Sequence, residues 1–317
     1  MESAMDKQKE FSRVLDGFDI ELIEDNLGIS FDGVSPLRKG HLNSKFSLSA
    51  GPDHFVLKIY SDSFAFISPK LSSSARARAE YEALMVCRSN GLAAPTPIWL
   101  SQNALLMSHV QGTPVKDLPI TKEILTDILS WLKRFYSIQV SNPLLNIGVP
   151  DLPFVAARKH IARYVSNNPD DALVRELEQM LLSLHWISSD QKTLTHGDPT
   201  LGNWLLFDHE LSAVDFEFFT AGFPLFDSGL LIASVLDHGE FSHGAFEKSE
   251  YVIRNFMQNF VSESYNDLPN AILCGLVLIA VSVPDSERRQ RIFRHIKSTM
   301  EWAPIIIGAK LKGQQHG

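Results

Sequence analysis

Alternating apolar and polar residues mark the first third of the chain. Phe46 and Leu48 alternate with polar neighbours, a period of two that is typical of β-strands. Turn residues bound three further β-prone runs, at residues 54–60, 94–100 and 104–107. The pattern predicts a small antiparallel sheet in this part of the chain.

A helical period begins after the second of these strands. Ser72 and its serine neighbours are suitable N-caps for a helix over residues 75–89, and Asn90-Gly91 is a stop signal. Helical patterns also lie at residues 121–136, 173–184, 224–237, 246–262, 268–283 and 286–300. We therefore predict an α+β fold with two lobes.

The predicted small lobe, residues 1–107, holds the antiparallel sheet and one main helix. Residues 108–112 form a hinge. The larger lobe, residues 113–317, is mainly helical.

One segment of the larger lobe combines residues suited to phosphoryl transfer. His196-Gly197-Asp198 is followed by Asn203, and Asp215 comes after two short β-prone runs. Phosphoryl transfer needs a base or hydrogen-bond acceptor for the incoming hydroxyl and oxygen ligands for Mg2+. Asp198 suits the first role, and Asn203 with Asp215 suits the second. Asp and Asn also brace turns, so this alternative stays open for the motif taken alone.

A lysine and a glutamate upstream are suited to the same chemistry. Lys58 interrupts the apolar run at 54–60, where it either reaches out to solvent or places a cation in a binding site. Glu80 and Glu82 lie on the helix at 75–89, and we favour Glu80 as the partner of Lys58. Without such pairing, each of these side chains is an ordinary solvated residue.

The order of these residues resembles the aminoglycoside phosphotransferase and choline kinase family, small-molecule kinases with a protein-kinase-like fold. The resemblance covers residues 30–235. The matching features are Gly40-x-x-Asn43, Lys58, Glu80, Gly91 to Pro95, the hinge ending at Gly112, His196 to Asn203, Asp215-Phe216-Glu217 and Gly222 to Asp227.

The resemblance implies a catalytic site and a nucleotide site. Asp198 would be the catalytic base, and Asn203 and Asp215 would hold Mg2+. Lys58 would meet the phosphates of ATP, and Glu80 would orient it. The other cofactor-binding positions would be Gly40, Asn43 and, for the adenine, the backbone near Ser108 and Val110.

The chain departs from the family pattern in its phosphate loop, and it departs from protein kinases in the triplet at 215–217. The phosphate loop carries the single glycine Gly40 between bulky neighbours, where the family often has two adjacent glycines or a small residue. The triplet at 215–217 is Asp-Phe-Glu, and no Ala-Pro-Glu triplet follows it, which argues against protein substrates. Glu217 would be a second metal partner or a plain surface residue. Asp227 would help to fix the loop that carries Asp215.

The composition excludes several classes of function. The 317 residues are 44% apolar and 21% charged with a net charge of −8, which indicates a globular chain without the basic face of a nucleic-acid-binding protein. No apolar signal core begins the sequence, and its most apolar run, 271–283, is too short to span a bilayer. Cys87 and Cys274 suit a reducing cytoplasm. We expect a cytoplasmic enzyme without membrane or nucleic-acid partners, of undetermined oligomeric state.

The predicted activity is ATP-dependent transfer of the γ-phosphate to a hydroxyl of a small molecule. A net charge of −2 over residues 1–110 and −6 over residues 111–317 would suit a cationic acceptor such as an aminoglycoside, choline or an amino alcohol. A sugar also stays open, and an acidic surface also serves solubility. Weakly marked candidates to line the acceptor site are His238, Glu240, His243, Asp267 and Glu301.

Two alternative functions remain at this stage. One is a catalytically silent kinase-like protein that binds a nucleotide or metabolite, and the other is a kinase for a macromolecular acceptor.

Overall fold

The computed structural model describes residue 15 and residues 18–37, 43–139, 147–184, 192–259, 267–283 and 285–314. The chain divides into two compact units, Met1–Gln111 and Gly112–Gly317. The first is built around an antiparallel sheet and the second is mainly helical, which confirms the predicted fold class.

The first unit contains one five-stranded sheet in the order β1-β2-β3-β5-β4. Its elements are α1 (Glu21–Leu27), β1 (Gly33–Pro36), β2 (Asn43–Ala50), β3 (Asp53–Tyr60), α2 (Ser73–Ser89), β4 (Pro97–Leu100) and β5 (Ala104–Ser108). Ser72 caps α2, because its side chain accepts a hydrogen bond from the Ala75 N–H. Helix α1 and strand β1 were not among the predicted elements.

The two faces of β3 have different environments. Leu57 packs with Phe46, Leu106 and other buried residues into an apolar core. Side chains alternate along a strand, so Lys58 and Tyr60 lie on the other face from Leu57. The central position of β3, between β2 and β5, therefore buries a lysine within the sheet of this unit.

The second unit combines short strand pairs with long helices. Its elements are β6 (Thr113–Pro114), α3 (Lys122–Tyr136), α4 (Leu152–Asn167), α5 (Ala172–Ser183), β7 (Thr193–Thr195), β8 (Trp204–Phe207), β9 (Glu210–Ala213), β10 (Thr220–Gly222), α6 (Pro224–His238), α7 (His243–Asn259), α8 (Leu268–Ser282) and α9 (Ser286–Gln314). Strand β7 pairs with β10, and β8 lies between β6 and β9. All of these pairings are antiparallel.

Helices α6 and α8 cross with their backbones in close contact. A Cβ added at Gly229 would lie 2.5 Å from the Ala271 carbonyl oxygen, and one at Gly275 would lie 2.9 Å from the Gly229 carbonyl oxygen. Two glycines therefore let the backbones of α6 and α8 touch. This contact fixes the position of α6, which matters for the site described below.

The helix predictions agree with the structure within a few residues at most ends. Helix α9 continues to Gln314, beyond the expected end at 300, and the end of the helix expected over 246–262 lies outside the described residues. Helix α4 was not predicted. Across the part of the chain that the structure describes, no helix is both long and apolar enough to cross a membrane.

Candidate active site

Helix α6 anchors residues 196–203, which we call the catalytic segment after the role that the sequence predicts for it. Asp227, in the first turn of α6, is 1% exposed and accepts hydrogen bonds from the backbone N–H groups of His196 (2.8 Å) and Gly197 (2.9 Å). The Tyr136 hydroxyl also donates to Asp227, at 3.0 Å. Burial raises the pKa of Asp227 to about 7, although the three hydrogen bonds oppose the shift.

This position corrects the expected role of Asp227. The sequence suggested that Asp227 helps to fix the loop carrying Asp215, but its two shortest contacts hold the catalytic segment instead. Ser234, farther along α6, gives this segment a second anchor, because its Oγ accepts the Leu201 N–H at 3.0 Å. Helix α6 thus positions the catalytic segment at both of its ends.

Gly197 allows the catalytic segment to pass close to a neighbouring loop. Its φ of 85° lies in the left-handed region, which disfavours residues with a side chain. A Cβ at this position would lie 2.2 Å from the Phe218 carbonyl oxygen. Both the conformation and the close approach require glycine immediately before Asp198.

Asp198 is held by the amide of Asn203. The Asn203 Nδ2 donates to Asp198 Oδ2 at 2.9 Å and to the Asp198 carbonyl oxygen at 2.8 Å. Burial raises the pKa of Asp198 to about 6, and the nearby charges of Asp215 and Glu217 add to the shift. The carboxylate is therefore mainly ionised at neutral pH and can accept a hydrogen bond from a hydroxyl.

A β-hairpin brings the two candidate metal ligands together. Asn203 precedes β8 and Asp215 follows β9, and the Val214 N–H donates to the Asn203 carbonyl oxygen at 2.9 Å. The hairpin turn consists of Asp208 and His209, with φ values of 46° and 66°. Two left-handed residues give the tight two-residue turn that matches strand twist. Side chains twelve positions apart in sequence thereby become neighbours.

The donor set fits a magnesium ion. Since Asn203 Nδ2 faces Asp198, the amide oxygen of Asn203 is directed elsewhere and can serve as a ligand. Asp215 adopts φ 67°, a left-handed conformation that costs energy and often occurs at functional sites. Among the described residues, no group of three or more His, Cys, Asp and Glu is placed to hold a metal. Magnesium commonly needs only one or two protein carboxylates together with phosphate oxygens.

Buried aromatic rings support the catalytic segment and the residues around Asp215. The His196 ring stacks on Phe216 with centroids 4.3 Å apart, and Trp131 lies 5.9 Å from Phe216 and 5.4 Å from Trp204. Each of these four side chains is 5% exposed or less. Trp131 is therefore a core residue.

In the first unit, the structure brings Lys58 and Glu80 together. Lys58 Nζ donates to Glu80 Oε2 at 2.6 Å, and both side chains are 1% exposed. Glu82, the alternative partner, lies near Arg78 instead, at 3.8 Å on the helix surface. A buried ion pair of this kind costs desolvation energy and is weak evidence for stability, which makes a functional role worth testing.

The remaining predicted nucleotide positions are placed as follows. Gly40 lies outside the described residues. Asn43 begins β2, and its side-chain oxygen accepts hydrogen bonds from the Ser61 N–H and from Arg76. Ser108 ends β5 with its N–H bonded to the Thr96 carbonyl, and Val110 is half-buried in the following loop.

The weakly marked acceptor candidates are scattered over the second unit and make local contacts. His238 bonds to the Lys116 carbonyl, Glu240 pairs with Arg291, His243 with Glu247, and Asp267 contacts Asn270, while Glu301 is exposed. Nothing in these contacts links them to Asp198. The sequence interpretation also missed Tyr136 and Tyr60, whose only signal was position on a patterned helix and strand.

Solved kinases share this fold across most of the chain. A choline kinase from Cryptosporidium parvum Iowa II is similar with a TM-score of 0.63 and 12% identity, over 85% of this chain and 89% of that chain. A spectinomycin phosphotransferase, solved with ADP and spectinomycin, has a TM-score of 0.59 and 11% identity, over 90% of this chain and 97% of that chain. An amicoumacin kinase, solved with AMP-PNP and Ca2+, has a TM-score of 0.58 and 14% identity, over 92% of this chain and 96% of that chain. The fold class of the chain is therefore that of these kinases.

Residues 33–249 match the family model described as the phosphotransferase enzyme family, and the chain belongs to that family. This finding confirms the resemblance drawn from the motifs. No curated protein sequence matches the chain. Family membership and the kinase neighbours together support a small-molecule phosphotransferase in general terms.

Proposed function

We propose that the protein transfers the γ-phosphate of ATP to a hydroxyl group of a small molecule, with Asp198 as the catalytic base. The observation that carries this proposal is the pairing of Asp198 with Asn203 beside Asp215. Phosphoryl transfer requires a hydrogen-bond acceptor for the attacking hydroxyl and oxygen ligands for Mg2+, and these three side chains can supply them.

Asp198 acts on the acceptor. Its ionised carboxylate accepts a hydrogen bond from the attacking hydroxyl and orients the oxygen lone pair toward phosphorus, then takes the proton as the new bond forms. The Asn203 amide keeps one carboxylate oxygen fixed during this step. The acceptor hydroxyl is thereby held in one geometry rather than activated strongly.

Asn203 and Asp215 would hold Mg2+, which when bound neutralises charge on the β- and γ-phosphate oxygens. Lys58 donates to phosphate oxygens and is oriented by Glu80. The first unit would act mainly in nucleotide binding, including the adenine near Ser108 and Val110. The second unit would act in catalysis and acceptor binding.

The charge of the chain and the similar solved structures support a proposal for the acceptor class. The region from residue 111 onward carries six of the eight net negative charges, which would attract a cationic hydroxyl compound. The similar solved structures include kinases named for choline and for spectinomycin. We therefore favour an amino alcohol or amino sugar acceptor and a cytoplasmic setting, where the free Cys87 and Cys274 stay reduced.

The test is Mg-ATP-dependent ADP release across aminoglycosides, choline, ethanolamine, homoserine and simple sugars. Asp198→Asn should reduce acceptor-stimulated release by at least about a hundredfold while ATP binding persists. The matched control is Asp208→Asn, which makes the same change on an exposed hairpin turn and should keep full activity.

Comparable turnover in Asp198→Asn and in the unmodified protein would refute the assignment of the base. Nucleotide binding without release for any acceptor would favour a silent binding protein. Labelling of macromolecules in a cell extract would favour a macromolecular acceptor.

A further inference from the structure

Glu80 accepts hydrogen bonds from two side chains at the same oxygen. Lys58 Nζ lies 2.6 Å from Oε2, and the Tyr60 hydroxyl donates to Oε2 at 2.7 Å. Tyr60 is 3% exposed, so all three groups are buried. The lysine–glutamate pair described above is therefore part of a triad with a tyrosine.

The strand geometry explains why Tyr60 reaches this position. Lys58 and Tyr60 are two residues apart on β3 and share a face of the sheet. The Lys58 ammonium also lies 4.8 Å from the centroid of the Tyr60 ring, within the range of a cation–π contact. Tyr60 thus contacts both members of the ion pair, through its ring and through its hydroxyl.

Arg76 fixes the same helix to the end of the same strand. Arg76 is fully buried on α2, one helical turn before Glu80. Its guanidinium donates to the Ser61 carbonyl and, at 3.3 Å, to the Asn43 side-chain oxygen. The guanidinium carbon also lies 5.7 Å from the centroid of the Tyr60 ring. The fork of an arginine suits two such contacts in fixed directions.

We propose that Tyr60, with Arg76 behind it, is a positioning residue for Lys58 in nucleotide binding. The inference rests on the proposed function, in which Lys58 donates to the phosphates of ATP. A lysine stem has four rotatable bonds, and a glutamate carboxylate can turn about its last bond. The hydrogen bond from the Tyr60 hydroxyl restricts rotation of the Glu80 carboxylate. Contact with the Tyr60 ring restricts movement of the Lys58 ammonium.

Sharing the carboxylate has a further consequence for Lys58. A hydrogen bond from Tyr60 takes part of the negative charge of Glu80, so Glu80 attracts the ammonium less strongly than it would alone. Lys58 is then held in place but keeps more of its positive field for a phosphate. Removing the hydroxyl should weaken binding of the phosphate part of a nucleotide while binding of the nucleoside part persists.

The decisive variant is Tyr60→Phe, which keeps the ring and removes only the hydroxyl. Calorimetry would measure the Kd of AMP-PNP with Mg2+, and competition would measure the Kd of adenosine. We expect the Kd of AMP-PNP to rise about fivefold, the size of one modest hydrogen-bond effect, with the Kd of adenosine unchanged. Arg76→Lys, which replaces the planar guanidinium by an ammonium, should also raise the Kd of AMP-PNP and leave the Kd of adenosine unchanged.

The matched control is Tyr251→Phe in the second unit. The Tyr251 hydroxyl also bonds a side chain, Thr126 Oγ1 at 2.7 Å, so the control removes the same group from a helix surface. It should leave both dissociation constants unchanged. An unchanged AMP-PNP affinity in Tyr60→Phe, or equal losses for AMP-PNP and adenosine, would overturn the positioning role while leaving the proposed function intact. Absence of AMP-PNP binding in the unmodified protein would overturn both.

Discussion

At the scale of single residues, two aspartates of the second unit, one half-buried and one fully buried, have different surroundings. Asp198 is held by an amide that donates to it, and Asp227 is held by two backbone N–H groups and a tyrosine. Asp198 faces the other carboxylates of the site. Asp227 faces the main chain that carries Asp198. In the proposed function Asp198 acts on the substrate, and Asp227 keeps the main chain around Asp198 in position.

Asp227 makes the stability of the protein depend on pH. Its pKa is raised from 3.8 to about 7 by burial, so between these values the folded chain binds this proton more tightly than the unfolded chain. This contribution to stability is present at low pH and is lost as pH rises toward 7 and above. In Asp227→Asn the contribution is absent at every pH.

The expected result for Asp227→Asn is a stability deficit that shrinks as pH rises from 5 to about 7, by at most roughly 1.4 kcal/mol per pH unit, and levels off above that pH. Urea unfolding of both proteins at several pH values measures it. Asp208→Asn, on the exposed turn, serves as the control and should follow the unmodified protein. Parallel pH curves for Asp227→Asn and the unmodified protein would show that Asp227 does not titrate in this range.

At the scale of elements, the crossing of α6 and α8 supports the site from behind. Helix α6 carries Asp227 and Ser234, the two anchors of the catalytic segment. The distance between α6 and α8 is set by backbone contact at Gly229 and Gly275. A change in this crossing therefore moves the anchors together with the helix.

Gly229→Ala should destabilise the protein by about 1–3 kcal/mol or more, because the new methyl group overlaps the backbone of Ala271. Thermal and urea unfolding measure the loss. Gly244→Ala is the matched control, since a Cβ at Gly244 meets nothing within 4 Å in the first turn of α7. Alanine favours helix over glycine, so the control should be neutral or slightly stabilising. Equal stability of the two variants would mean that the crossing adjusts without cost.

Helices and strands with a clear period could be predicted from the sequence, and the rest depended on distant contacts. Helix α3 has buried residues at three- and four-residue spacing and was placed within one residue. Helix α4 mixes small, charged and aromatic residues with a weaker periodicity, and it was missed. Glu80 could be favoured over Glu82 only because a partner for Lys58 was expected on this helix. The target of Asp227 is set by pairing across 30 residues, which no local pattern records.

At the scale of the whole molecule, the two cysteines lie in different units, so their reactivity can follow the opening of each unit separately. Cys87 lies in the first unit and Cys274 in the second, and both are free and fully buried. Burial raises the pKa of each thiol to about 12, so almost no thiolate is present at neutral pH. Either thiol can react only when its own unit opens.

We expect a thiol reagent at pH 7.5 to label both cysteines in the native protein roughly a thousandfold more slowly than in urea. Mass spectrometry of peptides after graded urea treatment gives the labelling of each thiol separately. Parallel labelling would indicate that the two units unfold together, and earlier labelling of Cys87 would indicate that the first unit opens alone. Fast labelling of either cysteine in native buffer would contradict the burial described here.

Gly197 has a consequence for how the gene for this chain can vary. Every amino acid other than glycine carries a Cβ, and a Cβ here would lie 2.2 Å from the Phe218 carbonyl oxygen. Each missense change of this codon therefore places the same obstruction directly before Asp198, whatever the chemistry of the new side chain. Codon 197 offers no gradual route of mutation, so new acceptor preferences in this chain would have to arise from changes at other codons.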